Sequence, residues 1–252
     1  MIKLSKRMRM VASMVTAEGI LADVGTDHAY VPIALMQEGK IKGAIAMDIN
    51  EGPLARAKEH IAAAGLESCI QTRLSDGVSE LTPGEADSVL IAGMGGELVI
   101  HILSEGQDVC TRARELILQP QSEIYKVREY LRENRYQIVD EDMVQEEGKY
   151  YLSMKCIFDA FPAPVPMPSP EGNFHGIGFP KSLEDMYGPV LLKKAHPVLK
   201  DFLARQHTRL TQILKELGSQ PESEKIRRRI SEIKEKLIQN EEAFHILEGN
   251  KK

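Results

Sequence analysis

The sequence predicts an α/β fold: a mostly parallel sheet of seven strands with helices on both faces, followed by a C-terminal antiparallel helical hairpin of coiled-coil type. Three features predict it. Across residues 19–158, short apolar runs bounded by Gly, Asp or Pro alternate with stretches of helical periodicity, as strands joined by crossover helices do. Prolines then fall at alternate positions, Pro162, Pro164, Pro166, Pro168 and Pro170, a pattern that blocks helix and favours an extended strut. Beyond Met186, apolar residues recur at three- and four-residue steps almost to the end of the chain.

The expected strands are Ile20–Val24, Gly43–Met47, Ile70–Leu74, Ser88–Ala92 and Glu115–Gln119, short runs with turn-forming residues at their ends. Helices are expected over 30–38, 53–64, 97–110 and 123–133, with Pro53 in a first helical turn, where its missing N–H is not needed. Residues 137–139 and 150–158 flank the charged turn Glu147-Gly148-Lys149 and read as an antiparallel hairpin that closes the sheet. The expected organisation is a sheet domain over 1–160, a Pro/Gly-rich linker over 161–185 and a helical domain over 186–252. In the last of these, Leu199, Leu203, Leu210, Ile213 and Leu217 form one stripe, and Ile226, Ile230, Ile233, Leu237, Phe244 and Leu247 form a second. Antiparallel pairing would set Ile213 against Ile226 and Leu210 against Ile230.

Composition excludes several function classes. Hydrophobic residues make up 42% of the chain, enough for a core, yet no uninterrupted apolar stretch reaches the length of a bilayer span, so a soluble protein is expected. The basic N-terminus lacks the apolar run of a signal peptide, which points to the cytoplasm. Cys69, Cys110 and Cys156 are odd in number and far apart, and the histidines contain no HExxH pattern, so neither a disulfide framework nor a metal site is expected. A formal net charge of −5 argues against coating nucleic acid through overall positive charge, so any RNA contact needs a local basic patch.

The chemistry concentrates at strand ends. Asp23-Val24-Gly25-Thr26-Asp27-His28-Ala29-Tyr30 closes the first strand and opens a helix, placing an acidic residue and a glycine turn where an adenosine-containing ligand would meet the sheet. Asp48, followed by Ile49, ends the second strand, where a carboxylate can accept both hydroxyls of a ribose. Asp76-Gly77 ends the third and can address an adenine ring. Each Asp taken singly can instead cap the following helix. The first loop also lacks GxGxxG, having Asp27 and Ala29 where later glycines would fall. A carboxylate there repels a pyrophosphate but suits the positive sulfonium of S-adenosylmethionine.

These residues resemble the bacterial tRNA (adenine-22-N1) methyltransferase family, the TrmK type. The resemblance runs from Leu4-Ser5-Lys6-Arg7 through the DHAY segment, Ile91-Ala92-Gly93-Met94-Gly95-Gly96, Leu116-Ile117-Leu118-Gln119-Pro120 and Glu147-Gly148-Lys149-Tyr150-Tyr151 to Gly188-Pro189. It implies a class I Rossmann-like methyltransferase domain, a C-terminal helical hairpin, S-adenosylmethionine as donor and tRNA as acceptor. No NPPY motif follows the fourth strand, which is chemically sensible, because adenine N1 already has an in-plane lone pair whereas an exocyclic amine does not.

Within that resemblance, Asp27 and His28 are the expected catalytic pair. Asp27 would stabilise the cationic product or accept a proton from N6, and His28 would orient the base or touch the cofactor. Alternatively, Asp27 organises loop amides and His28 packs under the sheet. Asp23, Gly25, Asp27, His28, Asp48, Ile49, Asp76, Gly77, Gly93 and Met94 are the expected cofactor contacts. Gly95, Gln119 and Pro120 would border the base. Lys3, Lys6, Arg7 and Arg9 would hold phosphates, extended by Arg128, Arg132 and Arg135 at helical spacing, unless they are only a solvated face. N1 lies on the Watson–Crick edge, so the target base must be unpaired or turned out. Methylation of another acceptor, or a non-catalytic adaptor that uses the hairpin, are the rival readings; cofactor binding separates the adaptor from the enzymes.

Overall fold

The computed structural model describes residues 2–160, 181–221 and 223–249; most of the expected linker, with its prolines, lies outside them. The chain divides into two compact units, Met1–His175 and Gly176–Lys252. Among the described residues no helix is long and apolar enough to cross a membrane.

The first unit is built on one sheet. Its strands are β1 (Ile20–Val24), β2 (Gly43–Asp48), β3 (Ile70–Leu74), β4 (Ser88–Ala92), β5 (Glu115–Gln119), β6 (Tyr136–Glu146) and β7 (Lys149–Phe158), in spatial order β3-β2-β1-β4-β5-β7-β6. Strands β1 to β5 pair in parallel, and β7 runs antiparallel to both β5 and β6. The central strands carry Leu21, Ala22, Ile45, Met47, Val89, Ile91, Ile117 and Leu118, all within 2% of complete burial, so they read as continuous apolar runs covered on both faces. The chain moves outward from β1 to β3 and then returns to the other side at β4. That reversal opens a crevice beyond the carboxyl ends of β1 and β4, where sheets of this kind bind ligands.

Helices α1 (Lys6–Met14), α2 (Tyr30–Gln37), α3 (Glu51–Ala63), α4 (Gly96–Glu105), α5 (Gln107–Cys110) and α6 (Ile124–Glu133) complete the unit. Helix α1 was not expected from periodicity. Ser5 caps it by accepting the Met8 N–H, Glu146 of β6 accepts the N–H groups of Lys6 and Arg7, and Met10, Val11 and Met14 are buried. The single helix expected over 97–110 is two helices, because the chain breaks at Gly106. A Cβ there would lie 2.0 Å from Val78 Cγ2, so the break is where the loop after β3 packs closely.

The closing hairpin is longer than its apolar pattern suggested. The run Asp140-Glu141-Asp142 is strand, with a register shift between Ile138 and Asp140, and the fully buried Glu141 pairs with Arg128 of α6 at 2.9 Å. Arg128 is therefore an interior residue and not part of a basic surface. Arg135 lies past the end of α6 at φ +66° and donates to the carbonyls of Asp159 and Ala160, so the expected helical row of three arginines does not form. At the amino end of β5, buried Glu115 accepts from the Thr16 and Ala17 N–H groups, Ser88 Oγ and Lys155 Nζ, tying the α1–β1 loop to three strands.

The second unit contains α7 (Lys181–Tyr187), α8 (Pro189–Lys193), α9 (Pro197–Gly218) and α10 (Glu224–Gly249). Helix α7 begins inside the segment read as linker. Helices α9 and α10 form the antiparallel hairpin, but in a different register from the expected one. Lys200 meets Glu248, Asn240 donates to the Leu203 carbonyl, and His207 meets Glu241, so each α9 residue finds its partner further along α10. The cause is a polar core position. Asn240 is 1% exposed and also donates to Gln206 Oε1, which accepts from the Tyr187 hydroxyl, and such a buried amide fixes register more strongly than interchangeable apolar residues do.

Candidate active site

The crevice at the switch point has a volume of about 270 Å³ and is lined by Asp23, Gly25, Asp27, His28, Tyr30, Gly93 and Gln121 of the sheet edge and by Arg7 and Met8 of α1. Its floor follows from the loop after β1. Gly25 at φ +75° turns the chain, and the N–H groups of Gly25 and Thr26 both donate to the Met47 carbonyl at 2.8 Å. Thr26 Oγ1 accepts from the N–H of Ala29, which is itself at φ +54°. The loop is thus anchored at both ends, and Asp27 and His28 project from its middle.

Asp23 lies at the end of β1 and is 9% exposed. Burial pushes its carboxyl up to about 6; a hydrogen bond with Thr26 opposes the rise and the nearby Asp48 carboxylate adds to it. A buried carboxylate so placed becomes more comfortable when a cation enters the crevice. Asp27 is over half exposed; its Oδ1 accepts from Arg56 Nε at 2.9 Å and from the same guanidinium's Nη2, and its Oδ2 lies 3.1 Å from His28 Nε2. His28 does not pack under the sheet, which was the alternative to its place in the site. Its ring stacks on Tyr30 with centroids 4.8 Å apart and planes 10° apart, on the wall of the crevice.

The acidic strand ends do not share one cavity. Asp48 ends β2 and accepts the Asn50 N–H at 2.8 Å, and Ile49 beside it is 59% exposed, an apolar surface at the sheet edge. Strand β3 stops at Leu74, two residues before Asp76, and Asp76 and Gly77 line a neighbouring cavity of about 240 Å³ with His101, Ile102 and Glu105.

Beyond β4, Gly93 at φ +82° is exposed in the crevice, where a Cβ would lie 3.6 Å from the Arg7 guanidinium and 3.8 Å from the Gln121 amide. Met94 reaches back to Gly25, whose Cβ would lie 2.1 Å from Met94 Cε. Gly95 caps α4, and the next residue, Gly96, packs against the Ser122 carbonyl, where a Cβ would lie 2.5 Å away. Gln119 and Pro120 are buried, so they stand behind the wall, and Gln121 presents the polar surface expected of them.

The N-terminal basic cluster divides. Arg7 turns inward: its Nη1 donates to Gln119 Oε1 at 2.9 Å and its guanidinium lies 5.5 Å from the Tyr151 ring centroid. Arg9 is paired with Glu38, while Lys3 and Lys6 are exposed. Sequence reasoning missed Arg56 and His60. Both lie on α3, four residues apart, and that spacing is the only local sign that they share a face.

Residues 4–154 match the family model of a methyltransferase domain. The tRNA (adenine(22)-N(1))-methyltransferase of Bacillus subtilis is 43% identical over 150 residues, which span 60% of this chain and 63% of that protein. The crystal structure of the B. subtilis m1A22 tRNA methyltransferase TrmK superposes with a TM-score of 0.79 at 31% identity, over 96% of this chain and 99% of that one. A Streptococcus pneumoniae protein solved in complex with S-adenosyl-L-methionine gives 0.78 at 31% identity, over 96% and 100%. The loop after β1, the acidic residues at the sheet edge and these likenesses agree, and the chain belongs to the methyltransferase-domain family, in its tRNA (adenine-22-N1) methyltransferase branch.

Proposed function

We propose that this chain transfers a methyl group from S-adenosylmethionine to N1 of adenine 22 in tRNA, in the cytoplasm. The observation that carries the reading is the placement of a buried carboxylate, Asp23, and the Asp27–His28 pair around one crevice at the switch point. The buried carboxylate of Asp23 and the guanidinium of Arg7, both on the crevice, suit opposite ends of a zwitterionic amino acid. Asp48 offers a carboxylate to a ribose, Ile49 an apolar face to an adenine ring, and Asp76 with Gly77 a polar edge beyond it. Gly93 leaves the backbone open where the donor and the base must approach, while Gly25 turns the chain and takes the Met94 side chain against it. When bound, S-adenosylmethionine supplies an electrophilic methyl carbon beside a positive sulfur.

N1 already carries a lone pair, so no proton has to leave before it attacks, and holding donor and acceptor in line is the main task of the protein. The purine becomes cationic as it is methylated. Asp27, kept in place by Arg56 and His28, meets that developing charge with a fixed carboxylate. Lys3 and Lys6, exposed at the N-terminal edge, would hold phosphates flanking the turned-out base, and the helical unit over 186–252 would grip the rest of the tRNA. Incubation with S-adenosylmethionine and unmodified tRNA, followed by nucleoside mass spectrometry and mapping, is expected to give 1-methyladenosine at position 22. Cofactor binding without methylation of tRNA would remove the acceptor and keep the methyltransferase domain.

A further inference from the structure

His60 of α3 lies one turn after Arg56 and does not line the crevice, yet its Nδ1 is 3.3 Å from Nδ1 of His28. Its ring is tilted against both His28 and Tyr30, with centroids 5.0 and 5.1 Å away. Arg56, Asp27, His28 and His60 therefore form a chain of contacts leading from the crevice to α3.

We propose that His60 is a positioning residue for methyl transfer: its Nδ1–H donates to Nδ1 of His28 and holds that ring as the Nε2–H tautomer, aimed at Asp27. The assignment follows from proton counting. An ionised carboxylate only accepts, so the His28 nitrogen facing Asp27 carries a proton. Two like nitrogens at hydrogen-bond distance share a single proton between them, so one donates and the other accepts. An uncharged His28 with its proton on Nε2 has only a lone pair at Nδ1, and His60 must be the donor. A charged His28 would donate at both nitrogens and His60 would accept. The second arrangement adds a cation to a crevice whose carboxylates are Asp23 and Asp27, the latter already paired with Arg56, and which also holds the Arg7 guanidinium and, on the function proposed above, must receive a sulfonium and generate a cationic purine. The first is the one compatible with that chemistry.

The inference rests on the proposed function for the meaning of the role but not for the tautomers. In full-length protein labelled with 15N-histidine, long-range proton–nitrogen spectra should show His28 protonated on Nε2 alone and His60 protonated on Nδ1. His60→Phe keeps a ring packed against His28 and Tyr30 but has no donor, and His60→Gln keeps an N–H with less ring. On the tRNA assay, H60F should lower kcat by about tenfold, the scale of one hydrogen bond lost from the transition state, with little change in KM for S-adenosylmethionine. H60Q should recover most of that loss. A proton on Nδ1 of His28 in the unmodified protein overturns the proposal, as does H60F with normal kcat, or H60Q as impaired as H60F. A wild-type protein that methylates no tRNA would overturn the function instead, and the spectra would then decide the tautomers alone.

Discussion

Replacing Asp23 by Asn should make the protein more stable in the absence of S-adenosylmethionine and a poorer binder of it. Asp23 is 9% exposed and burial raises its carboxyl from 3.8 to about 6. A carboxyl with a raised folded pKa keeps its proton in the folded state after the unfolded chain has lost it. Stability therefore falls as pH rises from about 4 to about 6 and is level above that. At 1.36 kcal/mol per pH unit, the cost carried by the wild-type protein at pH 8 is about 3 kcal/mol. Asn can still bond with Thr26 and has no charge to bury. Asp23→Asn should thus gain up to about 3 kcal/mol at pH 8, a rise in Tm of roughly 6–12 °C for a chain of this size, and almost nothing near pH 4. Thermal unfolding at both pH values, with and without S-adenosylmethionine, is the assay. The ligand's cationic groups relieve the carboxylate in the wild type only, so the ligand-induced rise in Tm should shrink in the variant. Equal stability of the two proteins at pH 8, or a gain of the same size at pH 4, would refute the reasoning.

Asp27→Ala should lower methyl transfer by orders of magnitude while changing Tm little, because the exposed Asp27–Arg56 pair contributes only about 0.2–1 kcal/mol; near-normal turnover would end the assigned role. Glu115→Gln should cost about 3 kcal/mol, since it removes a buried charge paired with Lys155, and chemical denaturation at neutral pH measures it. Burial alone would raise the Glu115 carboxyl, but the Ala17 N–H, Lys155 and the Thr16 N–H together bring it below its ordinary value. The wild-type protein should therefore lose that stabilisation as pH falls through the lowered value, and the variant should not. Gly25→Ala should weaken S-adenosylmethionine binding in calorimetry, because φ +75° strains an L residue by about 1–2 kcal/mol and the new Cβ displaces Met94 from 2.1 Å.

The parts of this structure legible in the sequence are those that topology alone determines. Strands β1, β2, β4 and β5 are apolar through their middles because both faces are covered, with polar residues kept to their ends, so short runs such as Ser88–Ala92 declare themselves. The residues that follow each strand must then lie at the sheet edge, and Asp23, Asp27, His28 and Gly93 could be placed without knowing any contact. What could not be read depends on partners distant in sequence. Glu141 breaks the apolar alternation of β6, and its ion pair with Arg128, thirteen residues earlier, goes with its place in the interior. The sequence shows Arg9 as one of four clustered cations, whereas the fold pairs it with Glu38, twenty-nine residues later.

The same division runs through the site. Strand ends supply the groups that face the ligands, whereas helix α3 supplies Arg56 and His60, which set the orientation and protonation of those groups. A helix residue contributes only if its face is turned the right way, and that rotation is set by packing beneath the helix. Leu54, Ala57 and Ile61 bury the opposite side of α3 and thereby turn Arg56 and His60 toward the loop. Reading a site of this kind from sequence therefore requires the core face of the neighbouring helix to be identified first, because the residues that tune the chemistry are what that face leaves over.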